Sequence, residues 1–200
     1  MILSFHPIIE ADKNIICAGR EPDEDDLAAI QAADAVILSQ GCSEALYRMA
    51  RMNCPHIFPN LDVRFQYPGK CRQILLFRKL GIAHPHTQCY KSVAEFHQTR
   101  LSVQFPAVVK LDWGGQGDTV YQVDGPSALA KVLDRVTAYE SSGQSGFLIQ
   151  QFIPTNHRSL RASLIYTQCI NYWRIQHSDH SFGTSVAQGA RIDQDLSLIH

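Results

Sequence analysis

Apolar and polar positions follow two different periods along this chain, and the switches between them divide it into elements. Residues 2–5 and 14–18 are short apolar runs of strand character, and residues 35–39, AVILS, form a continuous one. Between them Glu21-Pro-Asp-Glu-Asp-Asp26 opens a helical period that Leu27, Ile30 and Ala33 continue. Acidic residues belong in a first helical turn, where they complement the positive end of the dipole. The acidic stretch therefore predicts a solvated helix start in preference to a metal site. Gly41-Cys-Ser43 turns into a second helix with Ala45, Leu46, Met49 and Met52 as its expected apolar stripe, and residues 56–58 are a strand closed by Pro59. Strands alternating with helices predict a small parallel α/β unit over about residues 1–65.

The pattern then changes. Pro68-Gly69-Lys70 precedes a helix over 71–80 with Ile74, Leu75, Phe77 and Leu80 on its apolar side, and Gly81 stops it. Residues 82–87 are extended, as residues before proline tend to be. Ser92 caps a short helix whose Glu95 completes a capping box. Lys70 sits at the unfavourable end of its helix dipole, so it either has an anionic partner or is an exposed lysine. A helix over 126–139 follows, with Leu129, Val132, Leu133 and Val136 as its stripe and proline at its first turn. Residues 141–146 are a Gly/Ser linker, and 147–153 a strand ended by Pro154. Residues 160–167 and 169–176 predict a hairpin. Alternation places Arg161, Ser163 and Ile165 on one face of its first strand, and Ile170, Tyr172 and Arg174 on one face of its second. Residues 182–191 read as loop or weak strand, and 192–200 as the start of a helix. The second half is thus α+β.

The chemistry concentrates in residues 105–120, FPAVVKLDWGGQGDTV. Lys110 leaves an apolar run, and Gly114, Gly115 and Gly117 follow around Gln116. Glycines leave main-chain N–H groups uncovered for a close anion, and a neighbouring lysine adds a point charge. The Walker loop and the dinucleotide fingerprint both lead into a helix, whereas Thr119-Val-Tyr-Gln-Val123 is strand-forming. The segment reads as a β-hairpin tip: either a flap over phosphates or a surface turn whose glycines only make the bend.

Composition narrows the classes. At 200 residues, 45% apolar and 18% charged, the chain can bury a sizeable core. A net charge of -1 and a pI near 6.7 give no electrostatic case for nucleic acid or an anionic membrane. No apolar run approaches a membrane span, and residues 1–12 lack signal-peptide features, so a cytoplasmic location is expected. The six cysteines form no C-x-x-C pair and predict reduced, partly buried thiols. His84 and His86 flank a proline, and His177 and His180 bracket Asp179; both sets are expected to be exposed residues and not metal ligands.

In order and spacing these motifs resemble the ATP-grasp superfamily, whose members include D-alanine–D-alanine ligase, glutathione synthetase, biotin carboxylase and the RimK-type glutamate ligases. The resemblance rests on Gly69-Lys70, on GIAHPHT (81–87), on Lys110 ending a Val-Val-Lys strand, on the Gly114–Gly117 flap, and on Gln150-Gln-Phe-Ile153 followed by Arg161. It implies a Rossmann-like pre-ATP-grasp domain over 1–66 and an ATP-grasp domain over 67–200. Within the latter, a flap-bearing subdomain covers about 103–154, and 155–200 begins an incomplete C-terminal subdomain. It also implies roles. Lys70 and Lys110 would hold the α- and β-phosphates under Gly114, Gly115, Gln116 and Gly117. Gln150, Gln151, Phe152 and Ile153 would contact adenine, and Arg161 and Arg174 the γ-phosphate and an acyl phosphate. The implied reaction is ATP-dependent ligation of a small-molecule or peptide carboxylate to an amine, or to a thiol, with Mg²⁺ as cofactor; a homo-oligomer is compatible with it.

Three departures qualify the resemblance. Gln151 stands where the family has an acid, and Ser159-Leu160 where close relatives place an aspartate before the strand arginine. The family's metal ligands lie beyond Arg191 and have no counterpart before His200, so no metal ligand is expected in this chain. The alternative reading is a non-catalytic ATP/ADP-binding module, and a third is a plain α/β interaction domain with structural glycines.

Overall fold

The computed structural model describes residues 1–17, 19–99, 101–115, 117–165, 167–176, 183–186 and 189–193. The chain divides into two compact units, Met1–Pro68 and Gly69–His200.

The first unit alternates strand and helix: β1 (Ile2–Ser4), β2 (Lys13–Asn14), α1 (Glu24–Gln31), β3 (Ala35–Ile37), α2 (Glu44–Asn53), β4 (Ile57–Phe58) and α3 (Asp62–Gln66). Its sheet has the order β2-β1-β3-β4, and every neighbouring pair is parallel. Leu3 and Val36 from the sheet, with Leu38 just after β3, pack with Ile30, Leu46 and Ala50 from the helices. Two local readings change. The acidic stretch does start α1, but Asp26 is not solvated: it is 1% exposed. It closes a capping box with Asp23, and the Arg20 guanidinium, bonded to it at 2.8 Å, holds its carboxyl below the usual carboxylate range. In α2 the buried residues are Leu46, Tyr47 and Ala50, and Met52 is 82% exposed. Tyr47 rotates the stripe because its hydroxyl donates to Asp62 Oδ1 (2.7 Å) and accepts the Leu61 N–H (3.1 Å). A side chain with an apolar body and a polar tip reaches a partner that an apolar stripe does not anticipate.

The second unit begins with α4 (Gly69–Leu80), β5 (Thr87–Tyr90), α5 (Val93–Thr99), β6 (Ala107–Leu111), β7 (Val120–Val123), α6 (Pro126–Ser141) and β8 (Phe147–Gln151). These four strands form a sheet of order β5-β8-β6-β7, antiparallel throughout. All four expected stripe residues of α6, Leu129, Val132, Leu133 and Val136, are buried against it. In α4 only Ile74 is buried, and Leu75 and Leu80 are exposed. A second sheet, β11-β10-β9, comprises β9 (Arg158–Ile165), β10 (Gln168–Ile175) and β11 (Arg191–Asp193). The hairpin register pairs Arg161 with Tyr172 and Ser163 with Ile170, which brings the two faces that alternation assigned strand by strand onto one side of the sheet. Ile192 and Asp193 do not start a helix; they pair with Arg174 and Trp173 as strand, where β10 offers an edge to be hydrogen-bonded. Residues 194–200 lie outside the described residues. Among the described residues, no helix is long and apolar enough to cross a membrane. The six cysteines are free, but Cys169 is exposed and not partly buried.

The first sheet of this unit is two-sided, and that sidedness positions the site. Ala107, Val109 and Leu111 of β6 and Phe147 and Ile149 of β8 share one face and form the core with α6. Alternation turns Val108 and Lys110, Leu148 and Gln150, and Thr87 and Cys89 to the other face.

Candidate functional site

Lys110 stands on that second face, half-buried, between strands that hold its stem rigidly. Burial alone pushes its pKa below the ordinary lysine value. Its ammonium donates to the neutral amide oxygen Gln150 Oε1 at 2.6 Å. An ammonium that is partly desolvated and meets a neutral partner retains its charge for an anion.

Two clefts meet at this lysine. One, of about 800 Å³, is lined by Lys110, Gln150, Gln151, Phe152 and Ile153. The other, of about 790 Å³, is lined by Lys110, Lys70, Gly117, Arg161 and Arg174. Each has the size of a pocket for a nucleotide-scale ligand. The first offers apolar surface with main-chain polar groups at a strand end, and the second gathers four cationic side chains beside the glycine turn. Of the residues singled out from sequence, Gln116 lies outside the described residues. Gly114 (φ +75°) and Gly117 (φ +95°) adopt a backbone that favours glycine. Gly114 also lies close to Thr119, whose Cγ2 would be 2.6 Å from an added Cβ, whereas Gly115 has open space. Gly114→Ala is therefore expected to lower the melting temperature and to distort the turn, and Gly115→Ala to leave stability unchanged within error. Thermal melts of the pair check this.

Residues 68–197 match the family model of the RimK-like ATP-grasp domain. The chain belongs to that family. Its fold is similar to that of D-alanine–D-alanine ligase from Helicobacter pylori, at 19% identity and a TM-score of 0.52, covering 76% of this chain and 50% of that one. It is similar also to carboxyaminoimidazole ribonucleotide synthase from Aspergillus clavatus complexed with ATP, at 12% identity and a TM-score of 0.57, covering 88% and 47%. A third is L-amino acid ligase from Bacillus licheniformis, at 16% identity and a TM-score of 0.57, covering 86% and 44%. The chain thus spans about half the length of these solved chains. No curated protein matches it.

Within this ATP-grasp domain, Lys70 has an arrangement that its sequence position does not announce. Its ammonium donates to three main-chain carbonyls at the flap base, Leu111 (2.7 Å), Trp113 (2.6 Å) and Gly114 (3.1 Å). Burial lowers its pKa, the neighbouring Asp112 carboxylate opposes that, and the Lys110 charge adds to it. The negative charge that the start of α4 lacks comes from Asp112, which accepts the Cys71 N–H at 2.6 Å. Trp113 packs on the flap base, its ring edge-on to Tyr139 at 4.9 Å.

At the other cleft, the Gln151 N–H donates to the His86 carbonyl (2.9 Å), and its side chain is exposed. On β10 the Arg174 guanidinium lies 5.8 Å from the centre of the Tyr172 ring. Its buried Nε has no hydrogen-bond partner among the described residues, and the same holds for Arg158 Nε and Trp173 Nε1 in this hairpin. Arg161 is exposed on β9. Asp112 and Thr87 escaped sequence reasoning. Asp112 directly follows the Val-Val-Lys strand, which is a signal of sorts. Thr87 closes the GIAHPHT segment, but nothing there reveals its partner. His84 bonds the Ile82 carbonyl at 2.7 Å, whereas His177, Asp179 and His180 lie outside the described residues. Among the described residues no three histidines, cysteines or carboxylates converge as a metal site, so none is assigned to Mg²⁺.

Proposed function

We propose that the Gly69–His200 unit binds ATP, as the nucleotide-holding part of an ATP-dependent carboxylate–amine or carboxylate–thiol ligase. The observation that carries this reading is Lys110: a partly desolvated ammonium, hydrogen-bonded to a neutral amide, at the junction of an apolar and a cationic cleft. Adenine would lie in the first cleft against Gln150, Gln151, Phe152 and Ile153, its edge met by main-chain groups. The phosphates would cross Lys110 into the second. There the N–H groups of the flap, with Arg161 and Arg174, would neutralise charge as it develops, which is most of what phosphoryl transfer requires of a protein. Lys70 would reach the phosphates by giving up its flap carbonyls. In the ligation a substrate carboxylate oxygen attacks the γ-phosphorus and ADP leaves. The amine then attacks the acyl carbon, phosphate leaves, and the amine loses its proton.

Calorimetric titration with ATP and Mg²⁺ tests the binding. Saturable heat with competition by ADP is expected, and its absence overturns the proposal. The ligase step is read separately, as carboxylate-dependent ADP release and hydroxamate formation in hydroxylamine. Bound ATP with neither product is the outcome expected of a non-catalytic binding module.

A further inference from the structure

Lys110 donates to Gln150 Oε1 at 2.6 Å, Gln150 Nε2 donates to Thr87 Oγ1 at 2.8 Å, and Thr87 Oγ1 donates to the Pro85 carbonyl at 2.7 Å. The direction of this chain is fixed from its far end. A carbonyl only accepts, so the single hydroxyl proton of Thr87 is committed to Pro85. The oxygen is then left with lone pairs alone, and it must receive the amide nitrogen of Gln150. That in turn obliges the amide to present its oxygen to Lys110. Turned the other way, the amide would aim N–H groups at an ammonium. Thr87 is 2% exposed and Gln150 8% exposed, so water is largely kept from taking over the role. The strands hold the same arrangement: Thr87 is paired with Gln150, and Gln150 is a diagonal neighbour of Lys110 on one sheet face. Arg78 of α4 also donates to the Thr87 carbonyl, which fastens the backbone there.

We propose that Thr87 is a positioning residue for Lys110, acting through the orientation it imposes on the Gln150 amide. A neutral amide can hold the ammonium in place without cancelling its charge, as a carboxylate at position 150 would. The consequence for ligand binding rests on the nucleotide reading above; the consequence for Lys110 itself does not. The other charged or titratable groups lining the two clefts are Lys70 of α4, Arg161 of β9, Arg174 of β10, and His84, Asp124 and His157 from loops and turns.

The test uses the full chain. The titration midpoint of Lys110 is read without nucleotide, from the pH dependence of its acylation by acetic anhydride, located by peptide mass. Thr87→Val keeps the shape and removes the hydroxyl. The amide nitrogen then loses the acceptor that anchors it, the amide oxygen is held less firmly against the ammonium, and the midpoint is expected to fall by about 1 pH unit. Thr87→Ser, which keeps the hydroxyl, should restore it. In Gln150→Glu the midpoint should instead rise above the parent value, and Thr87→Ala, which also lacks the hydroxyl, takes the place of Thr87→Val if that variant does not fold. ATP affinity should fall about 10-fold in Thr87→Val and recover in Thr87→Ser. A parental midpoint in Thr87→Val, a serine variant that behaves like the valine one, or a Gln150→Glu midpoint that stays put each overturns the proposal. If the midpoints move as stated but the parent binds no ATP, it is the nucleotide assignment that fails.

Discussion

Lys110→Met is expected to weaken ATP binding about 10–100-fold while leaving the ligand-free protein as stable as before. The loss follows from removing a charge-assisted hydrogen bond to phosphate, worth about 1.5–3 kcal/mol, at about 1.4 kcal/mol per factor of ten. The unchanged stability follows from the direction of the pKa. Burial sets the folded-state value of Lys110 below the unfolded one. Between those two values the unfolded chain binds more protons than the folded chain, so stability rises with pH across that interval. At neutral pH the ammonium is therefore a burden on the empty fold. The Gln150 amide oxygen left behind loses its partner, and relief of the half-buried charge offsets that loss. The melting temperature should stay within about 3 °C of the parent value. A steep loss of stability would make Lys110 a structural residue, and an unaltered ATP affinity would remove it from the nucleotide site. For the same reason ATP affinity should decline with rising pH sooner than an ordinary lysine would allow.

Gly69→Ala should damage the protein in a different way. Gly69 has φ +77°, and an added Cβ would sit 2.8 Å from the Asp112 carboxylate oxygens. The backbone strain alone costs about 1–3 kcal/mol. Moving Asp112 costs more, because its carboxylate caps α4 through the Cys71 N–H, its carbonyl accepts the Lys70 N–H, and its own N–H donates to Gly146. A fall in melting temperature of roughly 5 °C or more is expected, together with weaker ATP binding as Lys70 and the flap base lose their common anchor. Gly81→Ala supplies the comparison, since Gly81 also has positive φ, +66°, but no atom within 4 Å of an added Cβ. It should show the backbone part alone. Equal losses in the two variants would mean that the Asp112 contact contributes nothing.

The sequence reading succeeded where structure is set by neighbours along the chain. The buried stripe of α6 follows from a 3.6-residue period, the common face of Arg161 and Ser163 from a period of two, and Gly81 from the need to stop a helix. The flap hairpin and Lys110 at its entrance were legible for the same reason. It failed where the deciding partner is distant in sequence. Asp112 serves a helix start some 41 positions earlier, and Thr87 acts on an amide 63 positions later. Neither distance leaves a periodic trace. Tyr47 and Asp26 show a related failure: both are polar groups drawn inward by a partner, and a hydrophobic pattern scores them as surface. Ile192 reads as a helical residue until the open edge of β10 is known.

Trp113 gives the flap an optical handle of its own. Its carbonyl accepts both the Lys70 ammonium and the Thr119 hydroxyl, and its ring meets Tyr139, so it touches α4, α6 and the residue leading into β7 at once. The chain has two tryptophans, and the other, Trp173, lies in the β9–β10 hairpin. With that one exchanged for phenylalanine, a single indole reports on the base of the glycine turn. Its emission then provides a real-time readout of any rearrangement there when ATP is added, on unlabelled protein, with the lysine that would grip the phosphates bonded to the same residue as the chromophore.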